Sequence, residues 1–128
     1  MEDRGMVVDT SVFIEFLRAT KKDKTLLYKI ADDSKLYVST VTLFELYAGA
    51  TNHSKWMDIK LLTEDLILLP LTVDVSQYAA KIFQKLRLEN QIIEFRDIFI
   101  GATAIANKLP ILTLNKKHFS RIADLEII

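Results

Sequence analysis

A six-residue stretch near the start of the chain narrows the choice of fold more than any other. Met6-Val7-Val8 is a short apolar run rich in β-branched residues, and Asp9 ends it. Thr10 and Ser11 follow, after which Val12, Phe13, Phe16 and Leu17 recur at helical spacing. The pattern predicts a buried strand, a tight turn and a helix capped by Ser11 or Thr10. The turn leaves Asp9 at the carboxyl end of the strand, the edge at which open α/β sheets bind ligands.

The same alternation continues along the chain. Strand one covers residues 5–9 and helix one 11–19. The charged turn Lys21-Lys22-Asp23-Lys24 leads to a helix over 25–33 with Leu26, Leu27, Ile30 and Ala31 inward. Lys35 to Ser39 reads as strand two, and Thr40 or Thr42 caps a helix through Leu43, Leu46, Tyr47 and Ala50. Residues 53–65 suit a further helix, with Trp56, Ile59 and Leu62 on one side. Leu66 to Leu69 is strand three, stopped by Pro70. Asp74 and Ser76 are candidate caps for a long helix to about Asn90, packed through Ala79, Phe83 and Leu86. After a connector at 91–96, Asp97 opens a helix that buries Ile98, Ala102, Ile105 and Ala106. Ile111 to Thr113 is strand four, 116–122 a short helix, and 125–128 a closing strand. The strands are apolar throughout rather than alternating, as expected when helices cover both faces of a parallel sheet. The expected fold is therefore α/β: a three-layer α/β/α sandwich around a mostly parallel sheet of four to five strands.

Size and composition exclude several functions. The 128 residues suit one domain, residues 1–128. With no Cys there are no disulfides and no thiolate metal sites. The opening Met1-Glu2-Asp3-Arg4 has no apolar signal region behind it, and the apolar run from Leu66 to Leu71 is far too short to span a bilayer. The expectation is a soluble cytoplasmic protein with no membrane partner. Seventeen basic residues balance seventeen acidic ones. Generic nucleic-acid affinity comes from neutralising phosphates, so any such role must come from a local basic patch.

Parallel topology brings distant acids to one edge. Asp9 ends strand one, and Glu45 sits in the first turns of the helix that leaves strand two at Ser39. Strand four ends near Thr113, so Asn115 arrives at the same edge. The helix entering strand four runs against the strands, which puts its start, Asp97, there too. Three carboxylates and a carboxamide then converge, and close carboxylates repel unless protonated or neutralised by a cation. Oxygen donors without Cys or a suitably placed His favour a hard ion, Mg2+ or Mn2+. Such an ion with open water positions suits phosphoryl chemistry.

Four segments carry a resemblance. Val7-Val8-Asp9-Thr10-Ser11-Val12 resembles the opening strand and first acid of the PIN domains, in particular the VapC-type ribonuclease toxins. Ser39-Thr40-Val41-Thr42-Leu43-Phe44-Glu45-Leu46-Tyr47-Ala48-Gly49 is similar to the second motif, with Glu45 as its acid. Arg96-Asp97-Ile98-Phe99-Ile100-Gly101-Ala102-Thr103-Ala104 is similar to the third, with Asp97. Leu112-Thr113-Leu114-Asn115-Lys116-Lys117-His118-Phe119 matches the fourth, where many members carry an acid and this chain has Asn115 and His118. The resemblance spans essentially the whole chain. It implies metal-dependent endonucleolytic cleavage of RNA, with Asp9, Glu45 and Asp97 holding the ion and Asn115 completing the catalytic set. Thr10, Ser39 and Thr113, with Asn115, would orient acids and waters. It also implies a homodimer and an antitoxin docked near the first helices with an Arg directed at the acids.

Simpler readings exist for each residue. Asp9 and Asp97 taken singly are ordinary helix caps, and Glu45 a solvated acid. It is their conjunction that points to a site. Lys116, Lys117 and Arg121 suit either RNA phosphates or a solvated surface helix. Phe13, Phe16, Leu26, Leu27 and Tyr47 suit either the core or an apolar groove for a partner helix. A phosphoacceptor receiver domain would need an Asp where Leu68-Leu69-Pro70 end strand three. A haloacid-dehalogenase-type phosphatase would need one in place of Ser11. The alternative that stands is a catalytically weak or inactive PIN scaffold that binds RNA or protein, which the missing fourth acid favours.

Overall fold

The computed structural model describes residues 4–32 and 34–128. Met1, Glu2 and Asp3, and Asp33 at the expected end of the second helix, lie outside them. Strands β1 (Met6–Val8), β2 (Leu36–Ser39), β3 (Ile67–Leu69) and β4 (Ile111–Leu112) pair in the order β3-β2-β1-β4, every pairing parallel. The helices are α1 (Thr10–Arg18), α2 (Leu26–Ile30), α3 (Thr40–Ala48), α4 (His53–Thr63), α5 (Val73–Leu88), α6 (Phe95–Ala106) and α7 (Lys116–Phe119). The charged turn closes as a short 3₁₀ helix over Lys22–Lys24. Among the described residues no helix is long and apolar enough to cross a membrane.

Strand periodicity divides the core in two. Val7 and Ile111 point to one face, with Val75, Leu86, Ile98, Ile100 and Phe119. Val8 and Leu112, their neighbours in sequence, point to the other, with Val12, Phe13, Leu27, Leu46 and Ile59. Successive side chains on a strand face opposite ways, so the inner strands feed two cores and must be apolar along their length, while in the edge strand β3 only Leu69 is buried and Ile67 and Leu68 are exposed. Helices α5, α6 and α7 cover the first face and α1 to α4 the second, which gives the expected three layers.

The strand order explains where a site can form. The chain lays β1, β2 and β3 side by side, then returns through α5 and α6 to add β4 on the far side of β1. The direction of winding reverses between β1 and β4, and a crevice opens at the carboxyl ends of those two strands. Backbone bonds fix the pair there: Asp9 N donates to Leu112 O at 2.9 Å, and Val7 N to Pro110 O at 2.9 Å. The turn from α5 to α6 uses a left-handed residue, Asn90 at φ 54°. Asn90 N reaches Arg87 O at 3.2 Å and Gln91 N reaches Leu86 O at 2.8 Å, a Schellman closure that sends the chain back toward the crevice. Lys108, at φ 55°, closes α6 in the same way.

Several boundaries differ from expectation, each for a local reason. The cap of α3 is Ser39, whose Oγ accepts from Thr42 N at 3.1 Å, rather than Thr40 or Thr42. The cap of α5 is Thr72, whose Oγ1 accepts from Val75 N at 3.2 Å, which puts Asp74 and Ser76 inside the helix. Helix α1 begins at Thr10, so Asp9 and not Ser11 or Thr10 holds the cap position, yet the Asp9 side chain caps nothing. Ala31 lies beyond α2 and is exposed. The closing strand is a single parallel bridge, Ile111 to Ile127.

Gly5 leads into β1 at φ +80°, and a Cβ there would stand 2.3 Å from Lys35 O. Left-handed strain combines with a collision against backbone that β1–β2 pairing holds in place. Gly5→Ala is expected to destabilise the protein by about 1–3 kcal/mol, read as a lower urea midpoint at unchanged m-value.

Candidate active site

Four elements deliver polar side chains to the crevice. Asp9 and Ser11 come from the β1–α1 turn, Glu45 from α3, Arg96 and Asp97 from the first turn of α6, and Asn115 from the residue before α7. Together with Thr10 and Ile14 they line one cavity of about 120 Å³. Asp9 is 3% exposed and Asp97 6%, so both carboxylates sit deep in its floor.

Each acid is held differently. Asp9 Oδ2 accepts from Ser11 Oγ at 2.7 Å and from Thr113 Oγ1 at 2.8 Å. Both bonds fall on one oxygen, and since no buried polar side-chain atom among the described residues lacks a partner, Oδ1 meets solvent in the cavity. Ser11 and Thr113 are themselves fixed: Leu114 N donates to Ser11 Oγ at 3.1 Å and Asn115 N to Thr113 Oγ1 at 2.9 Å. Glu45 Oε1 accepts from Thr10 Oγ1 at 2.7 Å. A hydroxyl has one hydrogen. Thr10, having given its own to Glu45, must accept from Thr42 across 2.9 Å, and Thr42 accepts from Ser39 across 3.3 Å. The result is a directed relay, Ser39 to Thr42 to Thr10, that ends on Glu45. The other oxygen, Oε2, accepts from Arg96 Nη1 at 3.0 Å.

Asp97 meets His118, whose Nδ1 stands 3.3 Å from Oδ2, and Asn115 Nδ2 approaches the same ring nitrogen at 2.8 Å. A single Nδ1 serves one of them at a time: it donates to the carboxylate or accepts from the amide. Burial raises the Asp97 carboxyl above its ordinary value and the Asp9 charge adds to the effect; the His118 bond and the Arg96 charge pull it back only in part. Partial burial works against the Arg96 charge, but Glu45 and Glu94 outweigh it and hold the guanidinium above its ordinary value.

The structure thus brings Asp9, Glu45, Asp97 and Asn115 to one cavity and puts Thr10, Ser39 and Thr113 in bonds that lead to the acids. Asp97 lies inside α6 rather than opening it; Glu94 holds the cap position. Lys116 and Lys117 are exposed on α7 beside Asn115. Arg121 does not line this cavity; it lines another with Tyr78, Lys81 and Lys85. Phe13 and Leu27 belong to the core, so an apolar groove near α1 is left with Phe16, Leu26 and Tyr47, all partly buried. Sequence patterning gave no site role to Ser11, Thr42 or Arg96, and offered His118 only as an RNA-phosphate contact beside Lys116 and Lys117. Ser11 is two residues from Asp9 and Arg96 one from Asp97, and that adjacency to an acid was the available signal. Thr42 and His118 act only through tertiary pairing.

Among the described residues, no three His, Cys, Asp or Glu side chains stand together as a ready metal cage. The arrangement instead offers two facing carboxylates, Asp9 and Asp97, with Glu45 drawn toward Arg96. One or two carboxylates plus waters is the donor set with which proteins commonly hold Mg2+. A cation between Asp9 and Asp97 would also relieve the repulsion that raises Asp97.

The raised Asp97 carboxyl makes stability depend on pH. The folded chain keeps the proton to higher pH than the unfolded chain does. The contribution of Asp97 is therefore most favourable below its ordinary value, and stability is lost as pH rises through the raised one. In chelator, Asp97→Asn is expected to be more stable than wild type at neutral pH by roughly 0.5–2 kcal/mol, with that pH-dependent loss absent. Thermal melts from pH 3 to 8 read the difference.

A family model described as the PIN domain matches residues 6–125. The chain is 32% identical over 131 residues to Ribonuclease VapC of Rickettsia bellii (strain RML369-C), covering 97% of this chain and 95% of that relative. Its fold is similar to VapBC-1 from nontypeable Haemophilus influenzae, with a TM-score of 0.84, 25% identity and 96% of each chain covered. It is also similar to VapBC-5 from Mycobacterium tuberculosis, a member of the VapBC family of toxin-antitoxin systems. There the TM-score is 0.67 and the identity 22%, over 96% of this chain and 94% of that one. With the acids of its motifs gathered at one switch-point cavity and the family match running almost end to end, the chain belongs to the PIN-domain family, on its VapC branch.

Proposed function

We propose that residues 1–128 form one PIN domain that acts in the cytoplasm as a metal-dependent endoribonuclease, the toxin of a toxin–antitoxin pair. The observation that carries this reading is the convergence of Asp9, Glu45, Asp97 and Asn115 on one cavity at the sheet's switch point. The ribonuclease name of the Rickettsia bellii relative supports the reaction class.

Asp9 and Asp97 would hold Mg2+ or Mn2+, with Glu45 as the third acid. When bound, the ion supplies Lewis acidity toward a phosphodiester and toward water. The chain's own residues set the geometry around it. Ser11 and Thr113 pin Asp9 Oδ2 and leave Oδ1 turned to the cavity. The relay from Ser39 through Thr42 and Thr10 fixes the Glu45 carboxylate. Such orienting bonds tune ligand basicity and position. Asn115 offers a neutral carbonyl oxygen where a fourth acid would add charge. Hydrolysis adds water across one phosphodiester, and Lys116 and Lys117 would meet neighbouring phosphates. Arg121 would act on RNA only along a path that leaves this cavity.

The proposal includes a cognate antitoxin and a homodimer. A groove of about 300 Å³ adjoins the acid cavity, sharing Ile14 and Glu45 with it and walled by Leu17, Arg18, Leu46 and Ile59. A groove that joins apolar Ile14, Leu17, Leu46 and Ile59 to charged Arg18, Lys55 and Asp58 and opens on an acid suits an amphipathic helix followed by a basic residue.

Asp9→Ala and Asp97→Asn are each expected to lower RNA cleavage in Mg2+ beyond the roughly 10–100-fold lost when only a ligand's orienting partner is removed. Circular dichroism should show the fold retained. EDTA should quench the wild type, and Mg2+ or Mn2+ should restore it. Cleavage that survives both substitutions, or chelation, rejects the mechanism. A folded chain that binds RNA or its antitoxin without cleaving marks the inactive-scaffold alternative.

A further inference from the structure

We propose that Arg96 is a built-in counter-ion, one that holds Glu45 while no divalent ion is bound and must surrender it when one binds. The inference rests on the metal reading of the cavity. Arg96 is the cation among the residues that line the acid cavity. Its guanidinium spans two acids: Nη1 donates to Glu45 Oε2 at 3.0 Å, and Nε stands in an ion pair 3.1 Å from Glu94 Oε2.

The two partners of the Glu45 pair are unequally buried. The Arg96 side chain is 53% exposed and that of Glu45 15%. Arg96 can therefore leave for solvent at little penalty, and Glu94, 61% exposed, still holds one side of its fork. Glu45 is not free in that way. Its carboxylate is largely out of water, and Thr10 satisfies only Oε1 with a neutral hydroxyl. Removing one partner of a buried charge pair leaves the other charge uncompensated. A cation on Oε2 is therefore favourable, and the cavity can supply it from inside the chain or from solution. Thr10 holds the carboxylate in place during the exchange, so only the bond on Oε2 changes hands.

Competition of this kind has a measurable sign. The test is a Mn2+ titration of the full chain at low ionic strength, on wild type, Arg96→Gln, Glu45→Gln and the double variant. Arg96→Gln is expected to tighten Mn2+ binding roughly two- to fivefold, the range of a half-exposed ion pair. In the Glu45→Gln background the same change should have a clearly smaller effect, the part of the Arg96 charge felt at Asp97, because no Glu45 pair remains to break. Equal tightening in both backgrounds means a general field effect and overturns the proposal, as does no change or weaker binding in Arg96→Gln. Wild type that fails to bind Mn2+ brings down the metal reading and this proposal with it. Binding without dependence on Arg96 brings down the proposal alone. If Glu45→Gln binds too weakly to measure, the wild-type Arg96 Nε–H resonance, assigned by its loss in Arg96→Gln, decides. It should shift with Mg2+ and saturate with the binding curve; a resonance unmoved at saturation overturns the proposal.

Discussion

The repulsion between buried carboxylates at the β1–β4 crevice is the constraint that the surrounding structure answers. Asp9, Glu45 and Asp97 would be driven apart or protonated if left alone in a cavity floor. The chain meets each differently. Asp9 receives two hydroxyl donors and no cation. Glu45 receives a hydroxyl on one oxygen and a guanidinium on the other. Asp97 receives a histidine ring at 3.3 Å, too little to offset its burial. Compensation is therefore strongest at Glu45 and weakest at Asp97, which leaves Asp9 and Asp97, both lining one cavity, as the acids without a cation partner of their own. Holding acids in this state works against the fold, as functional sites commonly do.

The parallel sheet makes that arrangement possible. β1 lies between β2 and β4, and both of its faces are buried by helices. A strand so enclosed cannot shift register without moving Val7 and Val8 out of two cores at once. Asp9 inherits that rigidity, since it is the next residue and its N–H is bonded to Leu112 O. The same bond fixes the β4 end, from which Thr113 and Asn115 project. Placement of the acid and of its donors is thus a consequence of core packing on both faces.

The order of strands and helices was legible because each apolar run is short and most helices carry their own stripe; α4 is the exception, with Ile59 and Thr63 buried and Trp56 exposed. The convergence of Asp9, Glu45 and Asp97 was legible for the same reason, as a result of parallel topology. What sequence patterning did not resolve was competition among neighbouring hydroxyl and acid residues for one cap. Ser39, Thr40 and Thr42 are all able caps for α3, and Ser39 takes the role because Thr42 is drawn into the relay toward Glu45. Asp97 looks like a cap but sits inside the first turn of α6, after the cap position Glu94, and it is buried rather than solvated. Arg96 showed only its adjacency to Asp97, and the pairing of His118 with Asp97 left no trace in the sequence, since each acquires its role from an acid on another element. The closing strand failed because only Ile127 reaches the ladder.

Asn115 is best understood from the charge already present. A carboxylate at that position would stand beside Asp97, whose proton affinity is raised by burial and by Asp9. A third negative charge on that side of the cavity would raise it further and favour the protonated, non-ligating form. A carboxamide keeps an oxygen donor there without that repulsion, and its N–H bonds turn toward His118 instead. Glu45 can remain an acid on the opposite side because Arg96 neutralises it. The internal cation at Glu45 and the neutral donor at Asn115 thus act in the same direction: each keeps negative charge from accumulating around Asp97.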